Sequence, residues 1–137
     1  MTKIERPKIV AEMGINWNGN FSLLRFMARR ALYLGADYVK LQTRTPRVCV
    51  PRDQWDKPRE WFDGEMITYI EYKERMELTR EQLYVFGQEF EGRWITSFWD
   101  EESVDFVNEV FLETPEFLPV YAKVPSAKIT DLSLLRK

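Results

Sequence analysis

Polar side chains suited to binding an acidic small molecule recur at the ends of four predicted strands. They are Glu12, Asn16, Lys40, Gln42, Ser97, Lys123 and Ser126. Ligands of parallel α/β folds bind at the carboxyl ends of the strands, and strand alternation places Lys40 and Gln42 on one face. A buried ammonium group needs a counter-charge. We therefore expect Lys40 and Lys123 to point inward side by side, where only an acidic ligand, such as a small phosphorylated acid, could balance them.

Strand-like and helix-like segments alternate along the chain and would position these residues. Short apolar or alternating runs predict four strands, at 8–13, 37–42, 93–98 and 121–124. A short helix is predicted at 66–78. Capping signals before runs of helical spacing predict further helix starts at Asn20 or Ser22, Thr79, Asp100 and Asp131. Alternation of this kind favours parallel strands joined by crossover helices.

The segment 43–64 has no regular pattern. It combines three prolines with charged residues and with Trp55 and Trp61, so we interpret it as a long structured loop of the kind that covers a site. The aromatic side chains in and after it could stack on a sugar, but structural packing is the simpler interpretation. Cys49 lies in this loop with no histidine to activate it, and we expect an inert thiol.

The number of strand–helix units indicates the fold class. A full eightfold barrel takes about 250 residues, and this chain of 137 residues holds about four units. We therefore expect an α/β, TIM-barrel-like fold, half of a (β/α)8 barrel, with 1–137 as a single domain. An unclosed sheet leaves edge groups unpaired. We expect a homodimer or a complementary C-terminal half to cover them.

Composition excludes several classes of function. Twenty Lys and Arg against 22 Asp and Glu give a formal charge of −2, which disfavours binding to nucleic acid or to an anionic membrane. One cysteine excludes a disulfide framework and a CxxC zinc site. The absence of histidine removes the commonest metal ligand and the usual general base. With no membrane-spanning run and no signal peptide in the sequence, we expect a soluble cytoplasmic protein.

Five segments resemble, in order, motifs of the sialic acid synthase family. AEMGINWNG at 11–19 is similar to the family's AExGxNHNG, and GADYVKLQT at 35–43 is similar to GADxVKxQT. MITYIEYKERMEL at 66–78 resembles the family helix MTYxEYKxRxE followed by Phe or Leu, and DEESVDF at 100–106 matches the family's segment. YAKVPS at 121–126 resembles YKIAS or AKIGS, and a tail similar to TNLPLL follows at 130–135.

The resemblance implies a (β/α)8 barrel that condenses phosphoenolpyruvate with an N-acetylated amino sugar, giving a nonulosonic acid and phosphate. It implies catalytic roles for Glu12, Lys40, Gln42 and Lys123. The lysines would neutralise the carboxylate and phosphate of phosphoenolpyruvate. The substrate-binding residues implied are Asn16, Lys40, Gln42, Ser97, Lys123 and Ser126. A divalent metal, Mn or Mg, is also implied, but the family holds it with histidines of the second half of the barrel, and those ligands are absent from this chain.

The sequence departs from the family pattern at three places. Trp17 stands where the family has histidine, and an indole cannot reproduce a titratable imidazole. Ser97 and Phe98 replace Thr-Pro, and Ala127 and Lys128 replace Gly-Glu. These departures leave an alternative open, namely a non-catalytic remnant or an oligomeric binding or assembly module that retains the scaffold.

Overall fold

Strands and helices alternate along residues 6–137, the part of the chain that the computed structural model describes. The strands are β1 (Val10–Glu12), β2 (Tyr38–Thr43), β3 (Pro58–Glu60), β4 (Met66–Thr68), β5 (Trp94–Phe98) and β6 (Tyr121–Lys123). The α-helices are α1 (Phe21–Tyr33), α2 (Pro46–Cys49), α3 (Tyr69–Glu74), α4 (Arg80–Glu89), α5 (Glu101–Val110) and α6 (Leu132–Leu135). Short 3-10 turns lie at Arg52–Gln54, Pro115–Phe117 and Ser126–Lys128. No helix between residues 6 and 137 has the length and apolarity needed to cross a membrane.

The central sheet contains β1, β2, β5 and β6, all paired in parallel and in that order. The order across the sheet equals the order along the chain. A doubly wound sheet reverses its strand order, whereas a barrel keeps adding strands on the same side. The prediction of a barrel-type α/β fold with about four strand–helix units is confirmed.

The helices cover one face of this sheet. Val39, Leu41 and Trp94 belong to the same buried core as Phe86 of α4. The Trp94 and Phe86 rings meet edge-on with their centroids 5.8 Å apart, and the Trp94 indole N–H donates to the carbonyl oxygen of Phe117 at 3.0 Å. Because side chains alternate along a strand, the residues between these core positions project from the opposite face, which we call the open face.

Gly87 of α4 lies in a tight contact of this core. A Cβ atom there would lie 2.5 Å from the ring of Phe111 and 2.8 Å from the carbonyl oxygen of Phe117. We expect Gly87→Ala to lower the free energy of unfolding by about 2 kcal/mol, because overpacking outweighs the better helix propensity of alanine. Urea unfolding measures this, with Gln88→Ala at an exposed position of the same helix as the control. Equal stability of the two variants would contradict the prediction.

An antiparallel hairpin follows β2 and corrects one helix prediction. The structured character expected of 43–64 is present, since α2, a 3-10 turn and β3 lie there. The helix prediction at 66–78 is wrong for its first three residues, because β4 pairs with β3, and for its last four, because α3 ends at Glu74. α3 begins only at Tyr69, since Thr68 caps it in a reciprocal capping box with Glu71. Trp61 packs against Tyr72 of α3 with ring centroids 5.7 Å apart, in line with the packing interpretation of the aromatic run.

Helix starts coincide with the predicted capping residues. Asn20, Thr79, Asp100 and Asp131 each accept a hydrogen bond from the backbone N–H three residues later. Such caps satisfy N–H groups that a helix leaves unpaired at its first turn. The predicted starts of α1, α4, α5 and α6 are confirmed, with Asn20 rather than Ser22 as the cap of α1.

Candidate functional site

The open face carries the polar residues that alternation predicted. Strand register pairs Glu12 with Lys40, and it aligns Gln42, Ser97 and Lys123 across β2, β5 and β6. Residues paired in register project from the same face of a sheet. Five of the seven predicted site residues therefore share the open face, in two adjacent rows near the carboxyl ends of the strands.

The ammonium group of Lys40 already has a counter-charge. Its Nζ donates to Oε2 of Glu12 in an ion pair, with the Lys40 side chain 13% exposed and the Glu12 side chain 47% exposed. The expectation that only an acidic ligand could balance Lys40 is wrong, because register places Glu12 directly opposite Lys40 on the neighbouring strand. An anion binding here has to share Lys40 with Glu12 or displace the carboxylate.

The two lysines occupy the same face but are not side by side. β5 lies between β2 and β6, so Lys40 and Lys123 are two strand spacings apart, about 10 Å, and Lys123 lies one row nearer the carboxyl ends. Lys123 is exposed. Ser97 lies between them, buried, with its hydroxyl 3.5 Å from the carbonyl oxygen of Leu41. A ligand with two anionic ends could span the strand and contact both lysines.

The two remaining predicted residues lie in connections at the carboxyl end of the sheet. Asn16 is exposed in the turn between β1 and α1, and Ser126 is exposed at the start of the 3-10 turn after β6. Gly14 brings the first of these turns against the open face. It has a φ of +51°, and a Cβ atom there would lie 3.4 Å from both the Gln42 amide nitrogen and a Glu12 carboxylate oxygen. A larger residue at 14 would therefore crowd both side chains.

Trp17, at the position where the motif that this segment resembles has histidine, lies in the core. Its side chain is 3% exposed and belongs to the same buried cluster as Met13 and Leu24. The side chain at this position of the β1–α1 turn therefore contributes apolar packing and no titratable group.

Sequence analysis missed a buried ion pair just beyond the carboxyl end of β2. Nε of Arg44 donates to Oε1 of Glu77 at 2.6 Å, and both side chains are nearly inaccessible to solvent. Burial raises the pKa of Glu77 to about 7, although Arg44 acts to lower it. Arg44 follows Lys40 and Gln42 at the same two-residue spacing, and this spacing could have identified Arg44 as a candidate site residue.

Asp100 was predicted only as a helix cap, but its carboxylate also contacts Thr45 and Cys49. It accepts the backbone N–H of Ser103 at 2.7 Å, the backbone N–H of Thr45 at 2.8 Å and the thiol of Cys49 at 3.0 Å. Burial, followed by the hydrogen bond to Asp100, raises the pKa of Cys49 to about 12. The thiol therefore keeps its proton at neutral pH and is a weak nucleophile, as predicted.

The residues present do not fit the divalent metal that the family resemblance implies. Between residues 6 and 137 no group of three or more His, Cys, Asp or Glu side chains is arranged to hold a metal ion. On the open face, Glu12 is engaged by the Lys40 ammonium rather than directed toward a second carboxylate.

Comparison with known proteins identifies the family. The model of the NeuB family matches residues 27–137, which include β2, β5 and β6. The chain belongs to the NeuB family. The resemblance to the N-terminal half of the sialic acid synthase barrel is thereby confirmed.

Several curated relatives of this NeuB-family chain are synthases of nonulosonic acids. It is 26% identical to N,N'-diacetyllegionaminic acid synthase of Campylobacter jejuni over 98% of the chain and 39% of the relative. It is 30% identical to N-acetylneuraminate-9-phosphate synthase of Mus musculus over 94% of the chain and 35% of the relative. Pseudaminic acid synthase of Helicobacter pylori is 28% identical over 98% of the chain and 38% of the relative. The NeuB-family chain thus spans little more than a third of these relatives.

A solved structure shows the same fold. The N-acetylneuraminic acid synthetase of Leptospira borgpetersenii, crystallised in complex with citrate, superposes with a TM-score of 0.71 at 15% identity. The superposition covers 98% of this chain and 43% of that one. The NeuB-family chain therefore has the architecture of part of that synthetase.

Proposed function

We propose that this chain is one half-barrel domain of a cytoplasmic nonulosonic acid synthase, which condenses phosphoenolpyruvate with an N-acetylated amino sugar. The observation that carries the proposal is the row of Gln42, Ser97 and Lys123 on the open face, with Lys40 in the adjacent row. Two cations, a hydroxyl and an amide at the carboxyl ends of parallel strands suit a ligand with both a carboxylate and a phosphate. The relatives described above, all synthases of nonulosonic acids, support the same class of product.

Each residue has a role that follows from its position. Lys40 and Lys123, on either side of β5, neutralise the two anionic ends of phosphoenolpyruvate. Ser97, between them, and Ser126, after β6, donate hydrogen bonds to phosphate oxygens. Charge-assisted contacts of this kind both bind and orient the substrate.

The proposed reaction forms one carbon–carbon bond and releases phosphate. The enol carbon attacks the sugar aldehyde, water adds to the resulting oxocarbenium centre, and phosphate then leaves. Gln42 and Asn16 orient the two substrates. Glu12 is placed to contact the sugar once an anion has drawn Lys40 away from it. None of these steps is routed through a metal, because the residues of this chain do not fit one.

A complementary surface is needed to close the site. The sheet has β1 and β6 as its two edges, and Val10 and Tyr121 on the open face are exposed apolar residues. Unpaired edges and exposed apolar side chains favour association. We infer that a complementary C-terminal half, or a second copy of this chain, covers them.

Isothermal titration of phosphoenolpyruvate tests the proposal. The chain is titrated alone and then with candidate complementary halves. We expect saturable binding that Lys40→Met and Lys123→Met each weaken about tenfold or more, since each removes a charge-assisted contact. Glu12→Gln should strengthen binding, because it frees Lys40 from its counter-charge.

The control is Lys57→Met, at an exposed lysine outside the open face. Absence of binding in every combination would leave the synthase proposal without support. So would equal affinities of the Lys40, Lys123 and Lys57 variants, because binding would then not involve the open face.

The burial of Trp17 favours a second candidate, a non-catalytic binding or assembly module. Apolar packing has replaced the family's imidazole at this turn, and the chain contains no histidine. Release of phosphate from phosphoenolpyruvate and an N-acetylated amino sugar, in the presence of a complementary half, separates the two. Binding without phosphate release supports the module. Light scattering over a range of concentrations shows whether a second copy is the partner.

A further inference from the structure

A pocket of about 250 Å³ lies beyond the carboxyl ends of β2 and β5, and we call it the rim pocket. Apart from Val50 and Pro51, it is lined by six side chains with polar atoms: Arg44, Cys49, Gln54, Tyr69, Lys73 and Trp99. No Asp or Glu lines it, although the chain has a net charge of −2. None of the seven predicted site residues lines it either. The rim pocket is therefore a positive site in an acidic protein.

Lys73 brings one cation to this pocket. Among residues 6–137, no carboxylate lies within 4.0 Å of its ammonium group. The Nζ atom lies 5.1 Å from the ring centroid of Tyr69 and 5.7 Å from that of Tyr72. Aromatic faces attract an ammonium group electrostatically, and no oxygen acceptor within residues 6–137 is hydrogen-bonded to Nζ, so N–H donors remain available to a ligand.

Arg44 brings a second cation in a fixed orientation. Glu77 accepts from Nε, and the guanidinium carbon lies 5.8 Å from the ring centroid of Trp99. No side chain or carbonyl oxygen within residues 6–137 is hydrogen-bonded to the two terminal nitrogens of Arg44. A guanidinium held at one nitrogen keeps its other donors in a rigid fork, the geometry that oxyanions match.

Trp99, which lines the rim pocket, also has a donor without an acceptor. The buried indole N–H of Trp99 has no hydrogen-bond partner within residues 6–137, whereas nearly all buried donors have one. The carboxylates of Asp100 and Asp53 accept hydrogen bonds from two lining side chains, the Cys49 thiol and the Gln54 amide. The pocket thus has donors in excess of acceptors.

We propose that the rim pocket binds an oxyanion, the phosphate or carboxylate group of a small molecule. Two cations in defined positions, an excess of donors and the absence of lining acids are the features that recognise such a group. None of the residues assigned to the anion between Lys40 and Lys123 lines the rim pocket, so the two sites are distinct. The proposal goes beyond the proposed function and does not depend on it.

Titration of inorganic phosphate, followed by the indole N–H signals in a proton–nitrogen correlation spectrum, tests this site. The chain has five tryptophans, and Trp99→Phe identifies the signal of Trp99. We expect phosphate, at constant ionic strength, to shift that signal along a saturable curve. Lys73→Met should raise the dissociation constant about tenfold, while Lys57→Met should leave it unchanged. Acetate in place of phosphate distinguishes carboxylate from phosphate binding.

A Trp99 signal that does not move with either anion, or moves without saturating, would overturn the proposal. Equal dissociation constants for the Lys73 and Lys57 variants would do the same. The other four indole signals show whether Lys73→Met is folded. The Lys40→Met variant separates the two proposals. If it abolishes the Trp99 shift while Lys73→Met does not, the anion lies on the open face and the rim-pocket proposal fails while the proposed function stands.

Discussion

Asp100→Ala is expected to lower the free energy of unfolding by about 3 kcal/mol. Asp100 is 4% exposed, and its carboxylate caps α5 while also accepting from the backbone of Thr45 and from the Cys49 thiol. Loss of an N-cap costs about 1 kcal/mol, and leaving a buried N–H without an acceptor costs about 1–3 kcal/mol more. In a chain of this length, we expect the melting temperature to fall by about 10 °C.

Asp100→Asn is the matched control for this effect. Asparagine caps helices as well as aspartate does, but it presents one acceptor oxygen instead of two. Oδ1 of Asp100 caps α5, and Oδ2 accepts from both Thr45 and Cys49. The variant should therefore keep the cap and lose both of the other contacts, with about two-thirds of the destabilisation. Thermal and urea unfolding of both variants measure the difference. If alanine and asparagine proved equally destabilising, the cap would contribute nothing and the argument would be wrong.

Local signals predicted much of the fold. The starts of α4 and α5 could be predicted from Thr79 and Asp100, because a helix cap is a contact between residues only three positions apart in sequence. Lys40 and Gln42 were assigned to one face because alternation is a property of a single strand. The same local signal was overlooked at Thr68, whose capping box with Glu71 starts α3 three residues later than predicted.

The remaining features depend on register and long-range packing. Glu12 neutralises Lys40 because β1 and β2 pair with these residues opposite each other, and nothing within either strand specifies that register. Arg44 and Glu77 are 33 residues apart in sequence, so their ion pair exists only after the hairpin has folded back. The charge available to a ligand on the open face therefore depends on strand register and long-range contacts, which the sequence alone did not predict.

Glu77 should make the stability of the protein fall as the pH rises from about 4.5 to about 7. Burial raises the pKa of Glu77 from 4.5 to about 7 in the folded chain. Between these values the unfolded chain has released this proton while the folded chain still holds it. Unfolding therefore releases a proton and is favoured by rising pH. The difference in pKa corresponds to roughly 3 kcal/mol, lost across this window and constant above it.

Glu77→Gln removes this titration and should flatten the profile of unfolding free energy between pH 5 and pH 8. The window is favourable for the measurement, because the chain contains no histidine and no other side-chain type ordinarily titrates there. Urea unfolding at intervals of half a pH unit gives the profile, and Glu113→Gln, at an exposed position, should retain the wild-type slope. A slope that survives in Glu77→Gln would show that Glu77 is ionised throughout, with Arg44 outweighing the cost of burial.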